Sequence, residues 1–449
     1  MTLNPGPYFE VPVGGGTTAP FYALRFDGDG RSEGPLTQEH LIGELRRDDF
    51  TDVYLFSHGW NNDWQTALDR YRAFIREYQT LREAYGLRFD RTYRPLLAGV
   101  FWPATTLVTP WEQGPEFAGS GDDGHVDAAD VSLVADFAEE VAPSDLERFY
   151  QLAESESLEE DEARELLGMV SAVFADGDPD IAADPPRDVD ELLIAWAKLE
   201  AAVAAAETPA SPDDFGAVGT GTATAPEAAG FLNKLNPRNL FRGFTVWKMK
   251  DRAGVVGANG VGPALREMLE ATAAKGTRFH LIGHSYGARV LLNAVGRPSG
   301  APLPRSVKSM LLLQPAVNHL CFADQLPNGK PGGYQDVPAK VDQPILSTFS
   351  AHDFPLSKTF HLALRRGKDL GDVEIAAGEP PSEYAALGGY GPRGFAGWRE
   401  VAIKDPADDY QLRNGAPEVW AVNGTRTISG HGDVVNPSTA WALFDLARG

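Results

Sequence analysis

Short apolar runs alternate along the chain with stretches whose apolar positions recur every three or four residues. Residues 8–13 and 21–26 read as strands around a Gly-rich turn, 36–45 as a helix and 51–56 as a buried strand. A helix follows, with Asn62 or Asp63 as its cap and Ala67, Tyr71, Phe74 and Tyr78 along one face. Residues 95–102 make another apolar strand. This order predicts a parallel sheet with helices on its faces.

Between 104 and 239 the pattern turns helical. One helix is expected at 128–141, with Val134, Phe137 and Val141 on a face. A second is expected from a Ser157–Glu160 capping pair to Phe174, and a third from Asp188, carrying Leu192, Trp196, Leu199 and Val203. An Ala/Thr/Gly/Pro stretch, 208–230, leads back. Sheet-like order is expected to resume at 241–247, before a helix with Pro263 in its first turn and Leu265, Met268, Leu269 and Thr272 on a face. Further strands are expected at 307–313, 344–349 and 418–422. Asn423-Gly424 suggests a hairpin into 425–428, and a last helix starts near Pro437. Residues 370–417 are Gly/Pro-rich and long for a structureless connection, so they should hold hidden structure or a function.

The stretch 277–295 changes period in its middle. Phe279, Leu281 and Ile282 suit a buried strand; Ala288, Leu291, Leu292 and Val295 fall on one helix face. Between them lies Gly283-His284-Ser285-Tyr286-Gly287. A strand-to-helix turn this sharp lifts Ser285 out of the sheet and brings its neighbours against the strand and helix, where only glycine fits. The following helix aims N–H groups at the site. His284 should be a packed elbow residue pointing away from the serine.

Charge divides the chain. Net charge is −23, and residues 112–227 hold 30 acidic against 4 basic side chains, leaving 36 basic and 33 acidic elsewhere. The acidity argues against nucleic acid and anionic membranes as partners. The charge also marks 105–240 as a separate acidic insertion between core segments 1–104 and 241–449. Cys321 is the single cysteine, which excludes an intrachain disulfide and favours a reducing, cytoplasmic setting. The N-terminal stretch lacks a basic start and an apolar region, so no signal peptide is expected, and no apolar run is long enough to span a membrane. Asp176, Asp178 and Asp180 suggest a calcium loop, but the sixth and twelfth positions are Ile181 and Arg187 rather than glycine and glutamate. No paired Cys/His metal spacing and no phosphate loop occur.

A serine nucleophile needs a base, an orienting acid and oxyanion donors. His431, between two glycines after the last strand, is the candidate base. Asp353, directly after 344–349, is the candidate acid, with Asp324 and Asp433 as rivals. With these pieces the chain resembles the α/β-hydrolase superfamily: GHSYG at 283–287, HGW at 58–60, SAHD ending at Asp353 and GHGD around His431, in the order Ser, Asp, His. The HGWNN form also resembles a set of poorly characterised bacterial hydrolases. The resemblance covers roughly 20–102 and 241–447.

It implies a mostly parallel α/β-hydrolase sheet with flanking helices, the acidic helical insertion forming a lid. It also implies the backbone N–H groups of Trp60 and Tyr286 as oxyanion donors. The expected activity is hydrolysis of a small-molecule carboxylic ester through an acyl-enzyme, with no metal or organic cofactor. A serine peptidase or amidase of the same fold, or a catalytically silent binding protein, is the alternative.

Overall fold

The computed structural model describes residues 5–14, 17–60, 62–104, 141–171, 235–326, 329–353, 385–412 and 418–449, with a few single positions between. Nine strands form one sheet: β1 (Phe9–Gly14), β2 (Thr17–Arg25), β3 (Asp52–Ser57), β4 (Pro95–Phe101), β5 (Arg278–His284), β6 (Ser309–Leu313), β7 (Ile345–Phe349), β8 (Trp398–Ala402) and β9 (Val419–Asn423). Their order is β1-β2-β4-β3-β5-β6-β7-β9-β8, and every pairing except β1–β2 is parallel.

Helices cover both faces, which is why the central strands are buried along almost their whole length and mostly apolar. The helices are α1 (Pro35–Arg47), α2 (Trp64–Ala84), α3 (Leu146–Ala153), α4 (Glu160–Val170), α5 (Pro237–Val255), α6 (Gly262–Ala271), α7 (Tyr286–Gly296), the short α8 (Leu387–Tyr390) and α9 (Pro437–Arg448), with a π-helical turn, Val256–Val261, between α5 and α6. Successive side chains of β3 point to opposite faces. Val53 and Leu55 join a core with α1, α5, α6 and α7; Tyr54 and Phe56 join another with α2 and α9.

Local chemistry sets the element ends. Asp63, not Asn62, caps α2, its carboxylate accepting the Thr66 N–H at 2.7 Å. Asn436 caps α9 by accepting from Ser438 and Thr439, with Pro437 in the first turn.

Three expectations are corrected. Residues 241–247 are not a strand but lie inside α5. Pro237 opens that helix, and its buried Leu240, Phe241, Met249 and Ala253 recur at helical spacing. The boundary placed at 240/241 therefore falls within one helix. α4 starts two residues later than the Ser157–Glu160 pair implies. Leu158 is held extended by a two-way backbone bridge to Leu235, and the Glu159 N–H donates to the Glu162 carboxylate instead. Asn423-Gly424 makes no hairpin, because β9 is already paired on both sides, by β7 and β8. Residues 424–428 close a tight turn whose N–H groups return to Gly424 and Phe349 carbonyls.

The Gly/Pro-rich 370–417 stretch contains α8 and the edge strand β8. The 128–141 and 188–203 stretches are described at single positions only, where Phe137, Leu192 and Trp196 are buried and helical. Phe174, the 176–180 acidic stretch and 208–230 lie outside the described residues. α3 and α4 do not stand apart from the core. Phe149 and Phe137 pack on Phe241, and their apolar side chains run into the cluster that holds Trp102 and Tyr286.

Candidate active site

β5 ends at His284 and α7 begins at Tyr286, so Ser285 alone makes the turn, with φ 54° and ψ −125°. A non-glycine residue in that region is strained. Three backbone hydrogen bonds hold it there: the Ser285 N–H donates to Leu313 O at 3.0 Å, and its carbonyl accepts from the Ala288 and Ala316 N–H groups. The flanking glycines are required by space. A Cβ on Gly283 would sit 2.7 Å from Ala288 Cα, and one on Gly287 would sit 2.2 Å from Ser57 O and 2.5 Å from His58 O.

His431 Nε2 lies 2.9 Å from Ser285 Oγ, and its Nδ1 lies 2.8 Å from Asp353 Oδ2. The structure thus brings Ser285, His431 and Asp353, from the ends of β5, β9 and β7, into one hydrogen-bonded line. Asp353 is fully buried and the His431 side chain is 22% exposed. The rival acids are occupied elsewhere. Asp433 accepts the N–H and Oγ–H of Ser429 within its own turn, and Asp324 accepts the Ala396 N–H.

The loop after β3 comes against the same serine. A Cβ on Gly59 would lie 2.6 Å from Ser285 Cβ, so the loop that carries Trp60 is packed against the nucleophile, and Tyr286 opens the helix directly after it. Asn62 Nδ2 donates to the carbonyls of Gly59 (2.9 Å) and Trp60 (2.8 Å), fixing the loop. His58 stacks on Trp102, donates from Nδ1 to Gly59 O and accepts the Trp102 N–H. Burial pushes its pKa down to about 4, so it stays neutral and structural. A cleft of about 510 Å³ opens beside this loop, lined by His58, Asn62, Trp64, Phe101, Trp102 and Ala104 among others.

His284 does more than pack. Its Nε2–H donates to the backbone carbonyl of His431 at 2.8 Å, tying the base's loop to the elbow. Burial, then the neighbouring His431, holds its pKa well below the ordinary range, so its ring is neutral. Gln314, which the sequence did not single out, donates to Asp353 Oδ2. The one signal for it is its place directly after the β6 apolar run.

A second Ser-His-Asp array lies at the opposite edge of the sheet. His280 Nε2 is 3.0 Å from Asp52 Oδ1 and His280 Nδ1 is 2.7 Å from Ser309 Oγ. All three side chains are within the core, at most 1% exposed, at the starts of β3, β5 and β6. Its ring nitrogens are used in the reverse sense from those of His431. Asp52 is also gripped by Arg91 and Arg278. Ser285 lies five positions beyond His280, roughly 16 Å along the strand direction.

Among the described residues no group of three or more His, Cys, Asp or Glu side chains is placed to hold a metal, and no helix is long and apolar enough to cross a membrane. Comparison with protein-family models, with curated proteins and with solved structures gave no match.

Proposed function

We propose that this chain, a serine hydrolase of the α/β-hydrolase type, cleaves carboxylic esters at Ser285. The observation that carries the reading is the unbroken line Asp353–His431–Ser285 at a strained elbow. Ser309 is the poorer candidate, because it sits in a strand with its hydroxyl enclosed and no path for an acyl group.

In the proposed mechanism, Ser285 Oγ attacks the ester carbonyl while His431 Nε2 takes its proton. Asp353 holds the imidazole with Nδ1–H directed at its carboxylate. The tetrahedral oxyanion is received by the N–H groups of Trp60 and Tyr286. Collapse returns the proton to the leaving alkoxide and leaves an acyl-serine. Water, deprotonated by the same imidazole, then releases the acid. None of these steps calls on a cofactor.

The acyl or leaving group is assigned to the cleft beside the oxyanion loop, which combines the aromatic side chains of Trp64, Phe101 and Trp102 with the charged Arg25, Glu33 and Asp63 and so suits a small molecule with both apolar and polar parts. The 105–240 insertion is assigned as a lid, between the core segments 1–104 and 241–449. Two facts support it: the insertion leaves β4 at the sheet edge that carries the elbow, and its described apolar side chains join the cluster containing Tyr286. Its acidic content would disfavour anionic substrates at low salt. The lone cysteine is in keeping with a cytoplasmic enzyme.

Purified protein is tested against p-nitrophenyl esters of graded chain length and aminoacyl amides. Ester turnover with fluorophosphonate labelling at Ser285 is expected; amide turnover alone would make it an amidase. Replacing 112–230 by a Gly/Ser linker in a protein that still folds should change the chain-length preference. Unchanged kinetics and salt insensitivity would remove the lid.

A further inference from the structure

We propose that Gln314 is a positioning residue for the reaction, holding the Asp353 carboxylate in line with His431. The inference rests on the Ser285 reading and extends it by one residue. Gln314 follows β6, is fully buried and has φ 44°, a backbone state that glutamine adopts only when its surroundings compel it. Every polar atom of its side chain is committed. Nε2 donates to Asp353 Oδ2 at 2.8 Å and to Gly388 O at 3.3 Å, while Oε1 accepts the Thr348 Oγ1–H at 3.0 Å. Thr348 Oγ1 in turn accepts the Gln314 N–H at 2.9 Å. This closed ring leaves the amide one orientation.

The oxygen that Gln314 meets is the one that meets His431. Asp353 Oδ2 therefore has two donors, the imidazole and the amide, and Oδ1 has the Leu356 N–H at 3.1 Å. The directions of these three donors fix the plane of the buried carboxylate. Rotation of that plane would move the imidazole off the serine. Other titratable groups near the pair are His284, whose ring lies 5.0 Å from that of His431, Arg70 of α2 beside Gly432, and Asp433, whose carboxylate is taken by Ser429; His352, next to Asp353 in the chain, is exposed.

The test compares Gln314→Ala, Gln314→Glu and Thr348→Val with the wild-type chain. Gln314→Ala should lower kcat by about 10²-fold with KM nearly unchanged, the cost of misaligning a catalytic group. Thr348→Val, which frees the amide without touching Asp353, should lower kcat by about 10-fold. Gln314→Glu sets two carboxyl groups against each other, and such a pair shares one proton. While that proton is held, the new carboxyl donates as the amide did; once it is lost, the two repel. This variant should approach wild-type kcat at low pH and show a falling alkaline limb that the wild type lacks. A Gln314→Glu profile parallel to wild type, or wild-type kcat in folded Gln314→Ala and Thr348→Val, overturns the proposal. Labelling at Ser285 and an inactive Ser285→Ala alongside those results would confine the failure to Gln314; an active Ser285→Ala would remove the parent reading as well.

Discussion

Among the described residues two serines, Ser285 and Ser309, face a histidine backed by an aspartate, and their settings separate them. Ser285 is lifted out of its strand, with a partly exposed base; Ser309 lies within a strand, with a base wholly enclosed. Ser285→Ala should abolish ester turnover, while Ser309→Ala should keep it and lower stability by about 1–3 kcal/mol for the buried His280 nitrogen left unsatisfied. A stopped assay and a melting curve on each variant decide the matter; the opposite pattern would move the active site to the other edge of the sheet. Asp353→Asn and His431→Ala should each cost several orders of magnitude, and adding Ser285→Ala should cost little more, because the three act as a unit. Gly283, Ser285, Gly287, Asp353 and His431 could be named from the sequence because the proposed chemistry demands a residue type at a strand end, and the structure brings the last two within hydrogen-bond reach of Ser285 or of each other. Gln314 could not be named, because its role depends on a buried ring of partners far apart in the chain.

The elbow is an element-scale device, and its glycines answer to space rather than to flexibility. Gly287→Ala would drive a Cβ into the backbone carbonyls of Ser57 and His58, neither of which has a flexible end to yield. It should destabilise by about 1–3 kcal/mol or more and shift Ser285 enough to cost about 10²-fold in rate. Gly43, inside α1, has open space at its Cβ, so Gly43→Ala should stabilise by up to about 1 kcal/mol. Thermal melts of the two variants should move in opposite directions. Sequence reading at this scale succeeded for the strands buried on both faces and failed at 241–247. Phe244, Thr245, Val246 and Trp247 favour a strand, but the helix is fixed by what α5 packs against, which periodicity over seven residues does not reveal. β8 was hidden for a related reason: Trp398–Ala402 is an exposed edge strand, without the apolar run that marks a central one.

For the molecule as a whole, the buried histidines set the acid limit. His58 is pushed down to about 4 from an unfolded value near 6.5 by burial, and burial also depresses His280 and His284. A depressed pKa means that the unfolded chain binds the proton first, so stability is fully present above about 6.5 and declines as pH falls toward about 4. His58 alone accounts for on the order of 3 kcal/mol over that window. Asp52 acts lower still. Burial raises its pKa, but the bond to His280 and the charge of Arg91 outweigh that and hold it below the ordinary value, so its contribution is lost only below about 3.8. Calorimetry from pH 7 to 4 should show Tm falling steadily, and His58→Gln should flatten the slope; a level Tm would mean that the ring is solvated.

The strand order has a consequence for synthesis on the ribosome. β3 lies between β4 and β5, and the Asp52 carboxylate waits for Arg278, 226 residues further on. At about 5–20 residues per second, roughly 11–45 s pass between making the two. During that time one side of an apolar strand stands open, and an open strand edge invites pairing with other chains. A nascent chain stopped at residue 104 should therefore be captured by chaperones or aggregate, whereas the full-length chain, in which β5 pairs with β3 and β6 with β5, should lose that tendency. Pelleting of the two chains from a cell-free translation would measure the difference; equal solubility would show that the early segment shields itself.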